Sequence, residues 1–253
     1  IDGAHIGFAA STPSLTTNIT VQPGGTLVLK NGATLRNWMG CGSAPEMWDG
    51  VKVLGNSSTT GAGLVRMESG ARITDAYVAV LCAETDPFLP QANDVNGTGG
   101  IVQAENAQFI NNRYAIWMNE HTGFDPLVNG PSSFVNCSFT TSRPLFHPTA
   151  NNPHAHAVLR SGHSIAFQGC TFANTNAEQT NPLLWGQGLV AFDTRVQVVP
   201  NAAGDRPRFD RLFMAVNHAS WNPARTAMVD RADFTRCHRG FYSVATDNLR
   251  VTN

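Results

Sequence analysis

A short phrase returns along this chain: a small residue, a polar one, a large apolar one, then a polar pair that often contains Asn. It reads Ala33-Thr34-Leu35-Arg36-Asn37, Ala71-Arg72-Ile73-Thr74-Asp75, Ala107-Gln108-Phe109-Ile110-Asn111, Cys137-Ser138-Phe139, Cys170-Thr171-Phe172-Ala173-Asn174 and Ala232-Asp233-Phe234-Thr235-Arg236. The large apolar members lie 38, 36, 30 and 33 residues apart, with 62 before the last, which leaves room for two turns. Self-similarity at such a period, with β-rich runs and no helical pattern inside the unit, constrains the chain to a solenoid built from strands. About seven coils are expected, forming one domain over residues 1–253.

The local signals agree. Ile19-Thr20-Val21-Gln22 is broken by Pro23-Gly24-Gly25, and Thr26-Leu27-Val28-Leu29-Lys30 by Asn31-Gly32. Asn-Gly most often closes a hairpin, but within a solenoid it serves as the corner between strands of one turn, the reading the repeat favours. Later runs such as Tyr114-Ala115-Ile116-Trp117-Met118 and Gly188-Leu189-Val190-Ala191-Phe192 have ordinary strand length. Stacked in parallel, such strands bond to the coils above and below and turn Val, Ile, Leu, Phe and Ala inward.

Composition narrows function by exclusion. Lys and Arg together number 17 against 18 acidic residues, and Lys occurs only at Lys30 and Lys52, so the chain lacks the basic field of a nucleic-acid binder. No apolar run reaches the 18 residues a membrane-spanning helix needs. The segment 247–253 reads as the opening of a further strand without a cap, so the chain is expected to be part of a longer protein whose remainder is one of its partners.

Five cysteines cannot all pair in one molecule. Cys137 and Cys170 occupy the same place in the repeat and are expected to stack inward as buried thiols. A bridge between Cys41 and Cys82 is the pairing expected in an oxidising compartment.

Three stretches carry a family resemblance: Val21-Gln22-Pro23-Gly24-Gly25-Thr26-Leu27, Trp48-Asp49-Gly50-Val51-Lys52-Val53-Leu54-Gly55-Asn56, and the run from Gly99 through Ala104 to Asn112. With Phe134-Val135-Asn136-Cys137-Ser138-Phe139 and Phe167-Gln168-Gly169-Cys170-Thr171-Phe172, they resemble large secreted proteins of Bacteroidetes. In those proteins a right-handed parallel β-helix precedes a C-terminal sorting domain read by the type IX secretion system. The resemblance implies the right-handed fold and a secreted or cell-surface location. It implies no activity, and it carries over no catalytic residue.

The chemistry-bearing residues leave three readings open. The first is a non-catalytic stalk or adhesin whose loops bind polysaccharide or another cell-surface protein. Trp185 and Trp221 on loops would pack against sugar rings, and Arg231, Arg236 and Arg239 in a locally basic last quarter would take carboxylate or sulfate. The second is a lyase or hydrolase of the pectin-lyase-like type acting on acidic polysaccharide, with Ca²⁺ as its cofactor. Its least implausible participants are His154, His156, Asp193 and Arg195, near His147 and His163; His154 and His156 at i, i+2 would share one strand face. Against it, no Asp-Asp pair or Asp-x-Asp occurs, and Glu120-His121 and Asp230-Arg231-Ala232-Asp233 are the nearest substitutes for an acid cluster. The third is a packing unit of a filament, using an open end coil for strand addition. The long aperiodic segments 84–99, 119–132, 141–153, 174–186, 200–207 and 219–225 are where function is expected, and they would make one continuous face if they left the coil at one corner.

Overall fold

The computed structural model describes residues 1–9, 17–38, 47–55, 61–83, 99–119, 129–146, 151–161, 164–223, 225–245 and 249–252. Strands follow one another three to a coil. Coil 1 holds β1 (His5–Phe8), β2 (Asn18–Val21) and β3 (Thr26–Leu29), and coil 2 holds β4 (Thr34–Asn37), β5 (Trp48–Val53) and β6 (Leu64–Met67). Coil 3 holds β7 (Arg72–Thr74), β8 (Ala76–Cys82) and β9 (Ile101–Glu105), and coil 4 β10 (Gln108–Ile110), β11 (Tyr114–Met118) and β12 (Asn129–Val135). Coil 5 is β13 (Ser138–Thr141), β14 (Ala155–Arg160) and β15 (Ser164–Gln168); coil 6 is β16 (Thr171–Asn174), β17 (Gln187–Phe192) and β18 (Val196–Val199). Coil 7 is β19 (Arg208–Asp210), β20 (Met214–Ala219) and β21 (Ala227–Asp230), and coil 8 β22 (Asp233–Thr235), β23 (Arg239–Val244) and β24 (Leu249–Thr252). The first, second and third strands of successive coils pair into three eight-stranded sheets, and the strand pairs within them are parallel. The architecture is a parallel β-helix.

Eight coils are present where about seven were expected. The additional copies of the phrase are Ile6, in register with Leu35, and Phe209, between Phe172 and Phe234. Phe209 escapes the pattern because Pro207 stands where the other copies have Ala or Cys. The segment 249–252 is the third strand of coil 8.

The phrase has a physical origin at the corner between the third strand of one coil and the first of the next. Asn31, Ser69, Asn106, Asn136, Gly169 and Arg231 take positive φ there, a conformation that Asn and Gly adopt at least cost. The next residue, or the one after an added Gly, turns inward and must be small: Ala33, Ala71, Ala107, Cys137, Cys170 or Ala232. Two residues on, the large apolar side chain joins an interior column. Phe109, Phe139, Phe172 and Phe209 stack with centroids 4.9, 4.7 and 4.9 Å apart and planes within 5° of parallel. That spacing is the distance between neighbouring strands, so one ring per coil fills the column without a gap. Phe134 and Phe167 stack likewise in the third sheet, 4.8 Å apart. Cys137 and Cys170 lie buried beside these columns, their Sγ atoms donating to the carbonyls of Ala104 and Phe134. Cys82 is also a buried free thiol, and Cys41, its expected partner, lies outside the described residues.

The second sheet departs from simple alternation. Its strands bend, so that Ala115 and Ile116 both join the core while Tyr114 and Trp117 face outward. The outward set Val78, Tyr114, Trp117, Ala155, Val158 and Val190 is itself buried and forms a second apolar cluster. Apolar residues on both faces explain why these strands read as unbroken hydrophobic runs.

The long connections do not share one corner. Segments 142–154 and 175–186 join first to second strands in the adjacent coils 5 and 6. Segments 83–100, 119–128 and 220–226 lie between second and third strands, and 200–207 joins coil 6 to coil 7. The expected continuous face is replaced by separate clusters, the tightest where coils 5 and 6 meet.

Candidate functional site

At that junction the register places one residue from each of four coils in a column. Tyr114, Ala155, Gln187 and Met214 are paired across β11, β14, β17 and β20. Arg113, His154, Gly186 and Phe213 immediately precede them. Backbone bonds tie the column together: the His154 N–H donates to the Arg113 carbonyl at 3.0 Å, Gln187 to His154 at 2.9 Å and Phe213 to Gly186 at 2.8 Å. A guanidinium, an imidazole, a gap and a phenyl ring therefore follow at about 4.8 Å intervals.

Gly186, packed against Pro153, lines an open cleft of about 400 Å³ with Asn151, Asn152, Pro153, Leu183 and Leu184. Gly186 has φ +81°, and a Cβ there would come within 3.0 Å of the Pro153 ring and its carbonyl, so glycine is required by both conformation and space.

The wall contributed by 175–186 is held by its own short polar side chains. Asn174 and Asn176 accept backbone N–H groups two residues ahead, and Asn181 caps the single 3₁₀ turn Pro182–Leu184. Trp185 donates from its indole to the Gln179 carbonyl at 2.9 Å, and the Arg211 guanidinium lies 5.1 Å from its ring. Gln179 in turn donates to the Asn152 side chain at 2.7 Å, joining the two walls. A cleft tied in this way is formed before a ligand arrives.

Arg113 is the unusual member. Its guanidinium sits over the Tyr77 and Tyr114 rings at 5.2 and 5.9 Å. Its Nε and Nη1 are shielded from solvent and meet no acceptor among the described residues. His154 packs at 5.0 Å from the Tyr114 ring and keeps solvent contact. Partial burial of its imidazole, and then the charge of Arg113, lower its pKa, so the ring is neutral at neutral pH. Gln187 accepts from the Asn217 amide at 3.1 Å. No carboxylate lines the cleft among the described residues.

The residues singled out from sequence disperse. His154 is in the cleft, but His156 is inside the solenoid, 6.3 Å from the Phe172 ring, because the bend in β14 turns it toward the core. The two imidazoles therefore do not share a face. Burial lowers the His156 pKa to about 4, and its Nε2 has no partner among the described residues. Asp193 lies past the far end of β17, six residues beyond Gln187, or roughly 20 Å along an extended strand. There its Oδ1 accepts from Ser220 Oγ and the Trp221 N–H at 3.0 and 2.9 Å, fixing the 220–226 connection. Arg195 lines a separate hollow of about 260 Å³ on the third sheet with Gln197, Met228 and Arg250. His154, His156, Asp193 and Arg195 thus form no common site. His147, His163, Glu120 and His121 lie outside the described residues, among which no group of three His, Cys, Asp or Glu side chains is placed to hold a metal ion.

Trp185 is a loop anchor, and Trp221 is 73 % exposed at the other corner of the coil. Arg231 pairs with Asp230 at 3.2 Å and Arg236 with both carboxylate oxygens of Asp210, while Arg239 lies near the Phe213 and Tyr242 rings. Two of the three arginines already have a carboxylate and sit at different corners of coil 8, so they make no single patch.

Arg113, Asn152, Leu183, Gln187 and Phe213 escape sequence reasoning. The alignment of second-strand starts, Arg113-Tyr114-Ala115, His154-Ala155-His156, Gly186-Gln187-Gly188 and Phe213-Met214-Ala215, brings Arg113, Gln187 and Phe213 to one corner, while Asn152 and Leu183 lie on loops and carry no such signal. No helix is long and apolar enough to cross a membrane among the described residues. Comparison with known proteins gives no match to a family model, a curated protein or a solved structure.

Proposed function

We propose that this chain is a non-catalytic binding module of a secreted or cell-surface protein, in which the β-helix is a rigid stalk and the cleft between coils 5 and 6 binds a glycan. The observation that carries the reading is the composition of that cleft. A guanidinium, a neutral imidazole and the amides of Asn152 and Gln187 face a rim of Leu183 and Leu184. Amides and imidazole match hydroxyl groups, and the apolar rim matches the carbon face of a sugar ring. Hydrolysis would need a carboxylate pair beside the ligand, and none is present among the described residues that line it, while elimination would need a base, for which the neutral His154 imidazole is the candidate that product analysis tests. Pull-down of the purified chain on immobilised acidic and neutral polysaccharides tests the reading, with mass spectrometry of the supernatant. Retention without released oligosaccharide is the expected result, and release of products contradicts it.

A second reading, a packing unit of a larger assembly through strand addition, is tested by sedimentation velocity across a hundredfold concentration range: concentration-dependent growth supports assembly, and a constant monomer removes it.

A further inference from the structure

We infer that the cleft selects a carboxylate-bearing sugar, with Arg113 as the residue that recognises the acid group. The inference rests on the binding-module reading and names the ligand class for the same site.

Withdrawing the Arg113 guanidinium nitrogens from water without supplying acceptors is unfavourable, because hydrogen bonds to a charged group are among the strongest that water offers and are lost without replacement. Arg66, Arg143, Arg206, Arg231 and Arg236 each meet a carboxylate, of Glu68, Asp75, Asp233, Asp230 and Asp210 respectively. Arg113 has two tyrosine rings instead, which offset part of the charge and hold the planar group in place, but accept none of its N–H bonds in their plane. A partly desolvated cation with no counter-charge among the described residues, at the edge of a preformed cavity, favours an anion placed there; with Nε and Nη1 shielded, the contact falls to the part of the guanidinium that lines the cavity.

Two features favour a sugar acid over a bare anion. The cavity has the volume of a small organic ligand, room for the body of a sugar beside its charged group. The remaining polar walls, Asn152, His154 and Gln187, offer neutral donors and acceptors suited to hydroxyls. A neutral His154 next to Arg113 also leaves the anion to the guanidinium alone, so removal of Arg113 should erase the preference for charge and leave weaker binding of the ring.

The test is titration of the full chain, labelled at histidine, with methyl β-D-glucuronide, methyl β-D-glucoside, sodium acetate and inorganic phosphate, following the His154 ring signals by NMR. The glucuronide should shift them with an affinity about tenfold or more above the glucoside and above both small anions. Arg113→Gln should bring glucuronide and glucoside to parity. Because Arg113 also packs on Tyr77 and Tyr114, the second variant is Leu183→Glu, at a side chain 62 % exposed, which places a repelling charge on the rim and should weaken only the glucuronide. Equal affinity of the two sugars in the wild type overturns this inference and leaves the binding module intact. Equal affinity of acetate or phosphate and the glucuronide overturns the sugar assignment. No response to any sugar here, with no retention on the polysaccharide panel, removes both.

Discussion

Two columns run through the same coils and differ in almost every respect. Inside, Phe109, Phe139, Phe172 and Phe209 repeat one residue type at one spacing. On the corner of the second sheet, Arg113, His154, Gly186 and Phe213 keep the same spacing with four unlike residues. The inner column is constrained by packing, since a smaller member leaves a void between neighbours about 4.8 Å away. The outer column is held by backbone bonds and by different local contacts at each level, Tyr77 and Tyr114 for Arg113, Pro153 for Gly186 and His238 for Phe213, so its residue types are free to differ. A parallel solenoid thus separates its stabilising positions from its functional ones within a few residues of each other.

The contrast is sharpest for truncation. Phe172→Ala should cost about 3–5 kcal/mol, read as a fall in the guanidinium midpoint, since the ring is fully buried between Phe139 and Phe209. Leu183→Ala on the cleft rim should move that midpoint by less than about 0.5 kcal/mol. Equal effects would break the division between the columns.

His156 tests the interior from another direction. In the bend of the second sheet the equivalent residues are Ala79, Ala115, Gly188, Ala215 and Gly240, so His156 is the one large side chain at that place in these coils. Its folded pKa, depressed to about 4 by burial, lies below the ordinary value of 6.5. The unfolded chain therefore binds the proton first as pH falls, and stability contributed by the neutral ring is complete above pH 6.5 and lost on acidification toward pH 4. The loss should be about 3 kcal/mol at one unit per 1.36 kcal/mol. His156→Ala should show a shallower dependence over that window when chemical denaturation is followed at pH 7 and pH 4.5. An unchanged slope would place the imidazole's titration elsewhere.

Gly186→Ala should have a smaller effect on folding, about 1–2 kcal/mol from the left-handed backbone alone, together with loss of ligand binding as the methyl group meets Pro153. Calorimetric Tm and glycan retention should therefore both fall. Arg236→Ala, at an exposed ion pair on coil 8, should leave both within error, since exposed pairs contribute little.

The sequence repeat made the fold legible because its small and large members are both dictated by geometry, a tight left-handed corner followed by a ring that must fill the coil spacing. It hid the coils whose copies vary, Ile6 without an aromatic ring and Phe209 behind Pro207. The site was less legible. Of the residues named from sequence, His154 lines the cleft, though it was named for catalysis, and Trp185, named for sugar binding, anchors one wall without lining it. Arg113 carried no signal as a residue type; only the partners it lacks distinguish it from Arg211, which bonds two carbonyls of the loop. His156 was misplaced because strict alternation along β14 would put it beside His154, and the bend that sends it inward is visible only in three dimensions.

Retention of the chain on a glucuronate-rich polysaccharide, measured side by side for wild type and Arg113→Gln with the supernatant analysed for released oligosaccharides, addresses the central claim most directly. The account predicts that the wild type is retained, that Arg113→Gln is retained more weakly, and that no products appear. Product release, or equal retention of the two proteins, would contradict it.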